Sequence, residues 1–185
     1  MHYWAVWWGG SPIESYEQRV GLFNSEFGMQ SLLPMSSMKQ FLSEKDQDLG
    51  NIYTEQILYR NKMRGGSVIV TQFVNDLFSA WKNVEDYSYL SLCMQGMGVG
   101  VRLESIRRTM PTSMGSLYWQ FNDVWPVFSW SSIDYYGQWK PLHYNAKRLY
   151  ANVVLSVKLV EGNFNFIIPH ANYISLEGGE STIPP

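Results

Sequence analysis

Glu26 stands in the run Asn24-Ser25-Glu26-Phe27-Gly28, at the end of a short apolar stretch, residues 21–26. Such a stretch reads as a buried strand that delivers its last side chains to a surface. The chemistry open to a carboxylate so placed is nucleophilic attack or proton transfer. The carboxyl end of a parallel strand is where α/β barrels place their active sites. Aromatic neighbours lower the local dielectric and raise the energetic stakes of ionisation. The plainer alternative is a surface or loop-capping glutamate, and on this pentapeptide alone it is the commoner outcome.

A second segment with chemical content is Tyr118-Trp119-Gln120-Phe121-Asn122-Asp123. Strand alternation puts Trp119 and Phe121 on one face and Tyr118, Gln120 and Asn122 on the other. A tryptophan at a strand end can floor a sugar site, and Gln and Asn can hydrogen-bond hydroxyls. A core tryptophan followed by a turn-forming Asn-Asp pair accounts for the same residues. Aromatic residues make up 16% of the chain at a formal net charge of -2. That balance is compatible with a carbohydrate cleft as well as with an aromatic core.

Other chemistries find less support. His2, His143 and His170 lack metal-ligand spacing, so neither a metal nor a cofactor is expected. Cys93 is the single cysteine, which excludes an internal disulfide and a cysteine zinc site. Gly96, Gly98 and Gly100 do not follow a strand and lack phosphate-loop spacing. Glu104 with Arg107 and Arg108 reads as a helix-face ion pair. No Gly-x-Ser-x-Gly signature occurs. The scattered basic residues argue against nucleic acid as a partner. No apolar run approaches membrane-spanning length, and no signal-peptide pattern is visible.

The elements that must position Glu26 and Trp119 follow from periodicity. Ser11, Pro12 and Glu14 suit an N-cap, a first helical position and a capping box, predicting a helix over 11–20. Helices are expected over 36–44, 53–63 (ended by Gly65-Gly66), 67–78, 85–108 and 139–153. In the fifth segment, Tyr89, Leu92, Cys93, Val99, Leu103 and Ile106 are the inward candidates. The three glycines there should each cost about 1 kcal/mol. Strands are expected over 21–26 and 115–121. Residues 155–160 and 163–168 alternate about Glu161-Gly162-Asn163, a hairpin signal. The Gly-, Ser- and Pro-rich residues 171–185 read as a disordered tail. Strand-helix-strand-helix is a piece of a parallel α/β fold. Two strands cannot close a barrel, so further strands are expected from elsewhere or from a longer chain.

Four stretches together carry a family resemblance: residues 24–31 (NSEFGMQS), 115–126 (GSLYWQFNDVWP), 129–135 (SWSSIDY) and 139–144 (WKPLHY). In order and spacing they resemble the β-mannosidases of glycoside hydrolase family 2, over roughly residues 1–152. The resemblance implies a partial TIM (β/α)8 barrel made of the last two β/α units, followed by the start of a β-sandwich domain. On that reading 1–152 is the carboxyl-terminal part of the catalytic domain, 153–170 opens the sandwich and 171–185 is the tail. Residues 1–10 then form the loop after the sixth strand.

By the same carry-over Glu26 is the catalytic nucleophile and Trp119 the aromatic floor beside the cleaved mannose. His2, Trp4 and Trp8 border the cleft, and Asn122 matches the motif with either a binding or a structural role. The implied activity is retaining exo-β-mannosidase, acting on β-mannoside oligosaccharides in concert with the remainder of a full-length, lysosomal or secreted enzyme. Retention needs a second carboxyl group roughly 5–5.5 Å from the first. The family's acid/base glutamate follows an asparagine, and no Asn-Glu dipeptide occurs here. Asp123 and Asp134 are the only local substitutes. The alternative is a catalytically inactive fragment, or an aromatic piece that binds carbohydrate or a partner.

Overall fold

Residues 1–48 and 51–168 are described in the computed structural model. Its centre is a narrow strip of three parallel extended segments in chain order. Residues 1–3 lie beside β1 (Phe23–Asn24), and β1 pairs in parallel with β2 (Gly115–Ser116). Ser25 N donates to Met1 O at 3.0 Å and Tyr3 N to Glu26 O at 2.8 Å. On the other side Leu117 N donates to Asn24 O and Trp119 N to Phe27 O, at 2.9 and 2.7 Å. The two expected strands are therefore present, with regular pairing limited to two residues each and continued by these flanking hydrogen bonds. A Cβ on Gly115 would stand 2.4 Å from the Phe23 ring. Only glycine lets that ring lie across the pairing.

The helices cover the strip. The element after the first strip segment is not the capped α-helix expected over 11–20. It is a 3-10 turn, Ile13–Glu17, with Pro12 at its N-cap and no side-chain cap. Ser11 therefore does not act as a cap, and Arg19, in the left-handed region at φ 50°, lies beyond the turn. The next helices are α1 (Met35–Met38) and α3 (Glu55–Tyr59), both shorter than the 36–44 and 53–63 expected, with an unexpected α2 (Glu44–Asp48) between them. Gly65, at φ 85°, starts α4 (Gly66–Leu77) rather than ending the helix before it.

The long helix is α5 (Val84–Arg108). Asn83 caps it by accepting from Asp86 N at 2.8 Å. Acidic residues sit in its first turn and Arg107 and Arg108 in its last, complementing the helix dipole. Leu92, Val99, Leu103 and Ile106 face inward as expected, whereas Tyr89 is 65% exposed. The three glycines do not interrupt the helix. Built Cβ atoms would come within 2.2 Å of Met29 Sδ at Gly98 and 2.4 Å of Asn145 Nδ2 at Gly100. Close approach of α6 (Pro141–Leu149) and of the segment after Glu26 is what the glycines provide. Asn145 Nδ2 accordingly reaches Gly96 O at 2.9 Å. Pro141 opens α6, where its missing N–H costs nothing.

The chain then forms the expected hairpin, β3 (Ser156–Val160) with β4 (Asn163–Ile167). Glu161 and Gly162 both have positive φ, 50° and 78°, as a two-residue primed turn requires. Arg108 Nη1 donates to Ser156 Oγ at 2.8 Å, and Lys158 pairs with Glu17, so the hairpin is tied to the helical layer. His170 and the expected disordered tail, 171–185, lie outside the described residues.

Candidate active site

Glu26 leaves the end of β1 with its side chain 28% exposed. Trp4 Nε1 donates to Glu26 Oε1 at 2.8 Å, and His2 Nδ1 stands 3.4 Å from the same oxygen. His2 and Glu26 also form a parallel bridge through their backbones. The carboxylate is thus held by two side chains of the neighbouring strip segment, and Oε2 is the oxygen that neither contacts.

Trp4 is held in turn by rings. It lies 6.2 Å from Trp8 and 6.4 Å from Trp130, the latter edge-on at 83°. Trp7 packs edge-on against Trp130 at 5.9 Å and stacks with Phe73 at 6.1 Å. Edge-to-face pairs of this kind add about 0.5–1.5 kcal/mol each beyond burial. They fix the indole that holds Glu26. Trp7 and Trp130 are buried, whereas Trp8, packed against Trp4, Trp7 and Trp130, is 51% exposed.

Trp119 approaches from β2. Its N–H is bonded to Phe27 O, and its own carbonyl lies so near Gly28 that a Cβ there would meet it at 2.1 Å. Trp119 as a whole is 44% exposed. The structure therefore gathers His2, Trp4, Trp8 and Glu26 through side chains and brings Trp119 beside them through its backbone. Asn122 is exposed on the following loop, where its carbonyl accepts from Gln120 Nε2 at 2.8 Å.

Asp123 and Asp134, the two local candidates for a second catalytic acid, are both committed elsewhere. Asp123 accepts from Ser129 Oγ at 2.6 Å and Gln120 Nε2 at 3.0 Å, with Lys62 Nζ at 3.5 Å. Asp134 accepts from Ser37 Oγ and from Tyr136 N and Gln138 N, each at 2.9 Å for the two amides. Both are buried. They are structural acids.

Three residues essential to the arrangement carry no periodic signal. Trp130 sits within a quoted motif but reads there only as one aromatic among several. Arg102, fully buried, donates to Tyr16 O and Gln18 O at 2.8 Å, Arg19 O at 3.3 Å and Asn24 Oδ1 at 2.7 Å. Its guanidinium also lies 4.4 Å from the Tyr3 ring centre. It locks the 3-10 turn and strand β1 onto α5, two residues before Glu26. Lys140, also fully buried, sits under the Trp119 loop. The expected pairing of Glu104 with both arginines is half right. Arg108 pairs with it at 3.3 Å, while Arg107 donates to carbonyls of Leu149, Ala151 and Asn152 at the end of α6.

A cleft of about 910 Å³ opens between Phe41, Tyr53, Glu55, Gln56, Leu58, Tyr59 and Arg60, and it includes none of the residues around Glu26. Among the described residues, no group of three or more His, Cys, Asp or Glu side chains could hold a metal ion. No helix there is long and apolar enough to cross a membrane.

The chain matches no protein-family model. It is 33% identical over 142 residues to the β-mannosidase of Capra hircus, covering 70% of this chain and 16% of that protein. With β-mannosidase B of Aspergillus niger it shares 32% identity over 166 residues, 85% of this chain and 19% of the relative. A solved β-D-mannosidase from Dictyoglomus thermophilum superposes with a TM-score of 0.82 at 33% identity, over 88% of this chain and 20% of that one. This chain is related to the β-mannosidases of glycoside hydrolase family 2. An exo-chitosanase of Amycolatopsis orientalis shares the fold, with a TM-score of 0.67 at 21% identity over 79% of this chain and 19% of its own. The chain spans less than a fifth of the length of the curated β-mannosidases it matches.

Proposed function

We propose that this chain forms the carboxyl-terminal part of the catalytic domain of a retaining exo-β-mannosidase, with Glu26 as nucleophile. The observation that carries the reading is the Glu26 carboxylate at a parallel strand end, oriented by Trp4 Nε1 at 2.8 Å. Residues 1–3, β1 and β2 would then be a section of a (β/α)8 barrel wall, and 1–152 the end of that domain. The hairpin β3–β4 would open a β-sandwich domain.

In the proposed reaction Glu26 attacks the anomeric carbon of a terminal β-mannoside as the glycosidic bond breaks. A second carboxyl group, contributed by polypeptide outside this chain, protonates the departing oxygen. It then takes a proton from the water that releases mannose from Glu26. The indole hydrogen bond from Trp4 keeps Glu26 from rotating away. Trp119 and Trp8 offer ring faces to the sugar, and His2 borders the cleft. The substrates are β-mannoside oligosaccharides, and the setting is lysosomal or secreted.

Mechanism-based labelling tests this directly. The longest natural polypeptide containing this chain, treated with a 2-fluoro β-mannosyl fluoride, should gain one sugar on the peptide bearing Glu26. Glu26→Gln should take up no label and lose turnover of an aryl β-mannoside by at least about 10²-fold. Labelling at another residue, or unchanged turnover in the variant, sinks the assignment.

A second reading applies to the 185-residue chain alone: an inactive, at most sugar-binding, fragment. The engagement of both Asp123 and Asp134 in buried networks favours it, because neither is free to serve as acid/base. Turnover by the purified chain would refute it.

A further inference from the structure

We infer that Lys140 is a positioning residue: a buried cation that fixes the Trp119 loop against the segment following Glu26 by donating to both. The inference rests on the proposed role of Trp119 as the sugar-facing ring. Lys140 stands at the N-cap of α6, where its backbone N–H donates to Ser132 O at 2.9 Å. Its Nζ reaches Ser31 Oγ at 3.3 Å and Ser129 O at 3.5 Å. Ser31 lies five residues beyond Glu26, and Ser129 belongs to the loop that begins at Trp119. One ammonium thus spans the seam between the two segments.

From that seam a continuous path leads to Trp119. Ser129 Oγ donates to Asp123 Oδ2 at 2.6 Å, and Gln120 Nε2 donates to Asp123 Oδ1 at 3.0 Å. Gln120 is joined to Trp119 by a peptide bond, and its N–H is bonded to Trp130 O at 3.0 Å. The far side of the loop is held by Asp134 through Ser37 and two backbone amides. Gln95, from α5, supports the same seam by donating to Met29 O at 2.8 Å and Ser131 O at 3.2 Å.

A neutral side chain of similar length could fill the volume but would leave Ser129 O and Ser31 Oγ without this donor, while Asp123 keeps Lys62 at 3.5 Å. Burial draws the Lys140 ammonium down to about 8, with Asp123 and then Asp134 opposing that shift. The site thus tolerates a costly charge, which a purely space-filling role would not require.

The test is kinetic and spectroscopic. In the longest natural polypeptide containing this chain, Lys140→Met should raise KM for an aryl β-mannoside about three- to tenfold, the value of one ring-stacking contact, with kcat little changed. Trp119→Ala should do the same, and the double variant should be no worse than Trp119→Ala alone. Additive effects on KM, or a fall in kcat at constant KM that follows the folded fraction, overturn the proposal. A readout independent of turnover is the near-UV circular dichroism of Trp119, taken as wild type minus Trp119→Ala. That difference should collapse when both spectra are recorded in the Lys140→Met background, and its persistence overturns the proposal. If the wild type hydrolyses no β-mannoside, the functional reading fails while the dichroism still decides the role of Lys140. Should Lys140→Met not fold, Lys140→Gln, which removes the charge and leaves Asp123 and its hydrogen bonds in place, takes its place in each comparison.

Discussion

Arg102 and Lys140 are both fully buried, one beneath the strand that carries Glu26 and the other beneath the loop that carries Trp119. They are solvated in opposite ways. Arg102 spreads its charge over three backbone carbonyls, the Asn24 side chain and the face of Tyr3. Lys140 has two long hydrogen bonds and relies for compensation on Asp123 and Asp134. The guanidinium is a rigid fork with five donors, suited to several diverging acceptors, and it stays protonated even though burial lowers its pKa. The ammonium is a compact charge that titrates readily when buried. The Glu26 strand is therefore held by a permanent charge and the Trp119 loop by a conditional one.

The largest effect should come from removing the permanent charge. Arg102→Met leaves four acceptors without their donor, at about 1–3 kcal/mol for each that water cannot reach. The expected loss is about 4 kcal/mol or more in urea unfolding, larger than for Lys140→Met, whose neighbouring carboxylates keep donors of their own. Arg102→Lys should recover only part of it, since one ammonium cannot reach all four acceptors. Equal losses at the two sites would break the comparison.

Where the two regions touch, Gly28 faces the carbonyl of Trp119. Gly28→Ala would put a Cβ at 2.1 Å from that oxygen, and a backbone atom cannot swing aside. About 2–3 kcal/mol of destabilisation is expected, with KM raised, because Trp119 must move away from Phe27. Gly98→Ala, which meets the flexible end of Met29 at 2.2 Å, should cost less. A silent Gly28→Ala would mean that the two regions are not in register through this contact.

The smallest effect is a pH dependence that only the Lys140 region should show. The folded-state pKa, about 8, lies below the ordinary 10.5, so between these values the unfolded chain binds more protons. Stability from this group is complete above the unfolded value and is lost as pH falls through the folded one. From pH 8 to about 9.5 the gain should be about 1.5 kcal/mol, and Lys140→Met should abolish it. Asp123 and Asp134 face the ammonium, Lys62 lies beyond Asp123, and His143 on α6 has its pKa lowered by burial and by Lys147. Above pH 10 the raised pKa values of Tyr16, Tyr87 and Tyr150 act in the opposite sense. Unfolding free energies of wild type and variant across that window are the measurement.

Much of the site was legible in the chain because it is local. The apolar run ending in Asn24-Ser25-Glu26 announces a strand end, and Glu161-Gly162 announces a two-residue turn. The helical period of α5 places Leu92, Val99, Leu103 and Ile106 correctly. It misplaces Tyr89, because a helix packed on several sides has no single apolar stripe. It also misjudges the glycines, which lower helix propensity but admit Met29 and Asn145. Ser11 looks like a cap, yet the turn starts after Pro12, and it goes no further than Glu17, where Arg102 claims the carbonyls of Tyr16, Gln18 and Arg19.

The sequence alone determined where a carboxylate would be presented, which segments are extended, where the longer helices lie, and which family they resemble. Those properties depend on neighbours within a few residues. Only the tertiary structure decided which acids are free and which cations are buried. Arg102 meets Asn24 across 78 residues, and Lys140 meets Ser31 across 109. No periodicity reaches that far. The partners of a carboxylate depend on what folding brings to it, so Glu26 emerges half-buried with one oxygen that neither Trp4 nor His2 contacts, and Asp123 emerges buried and fully engaged.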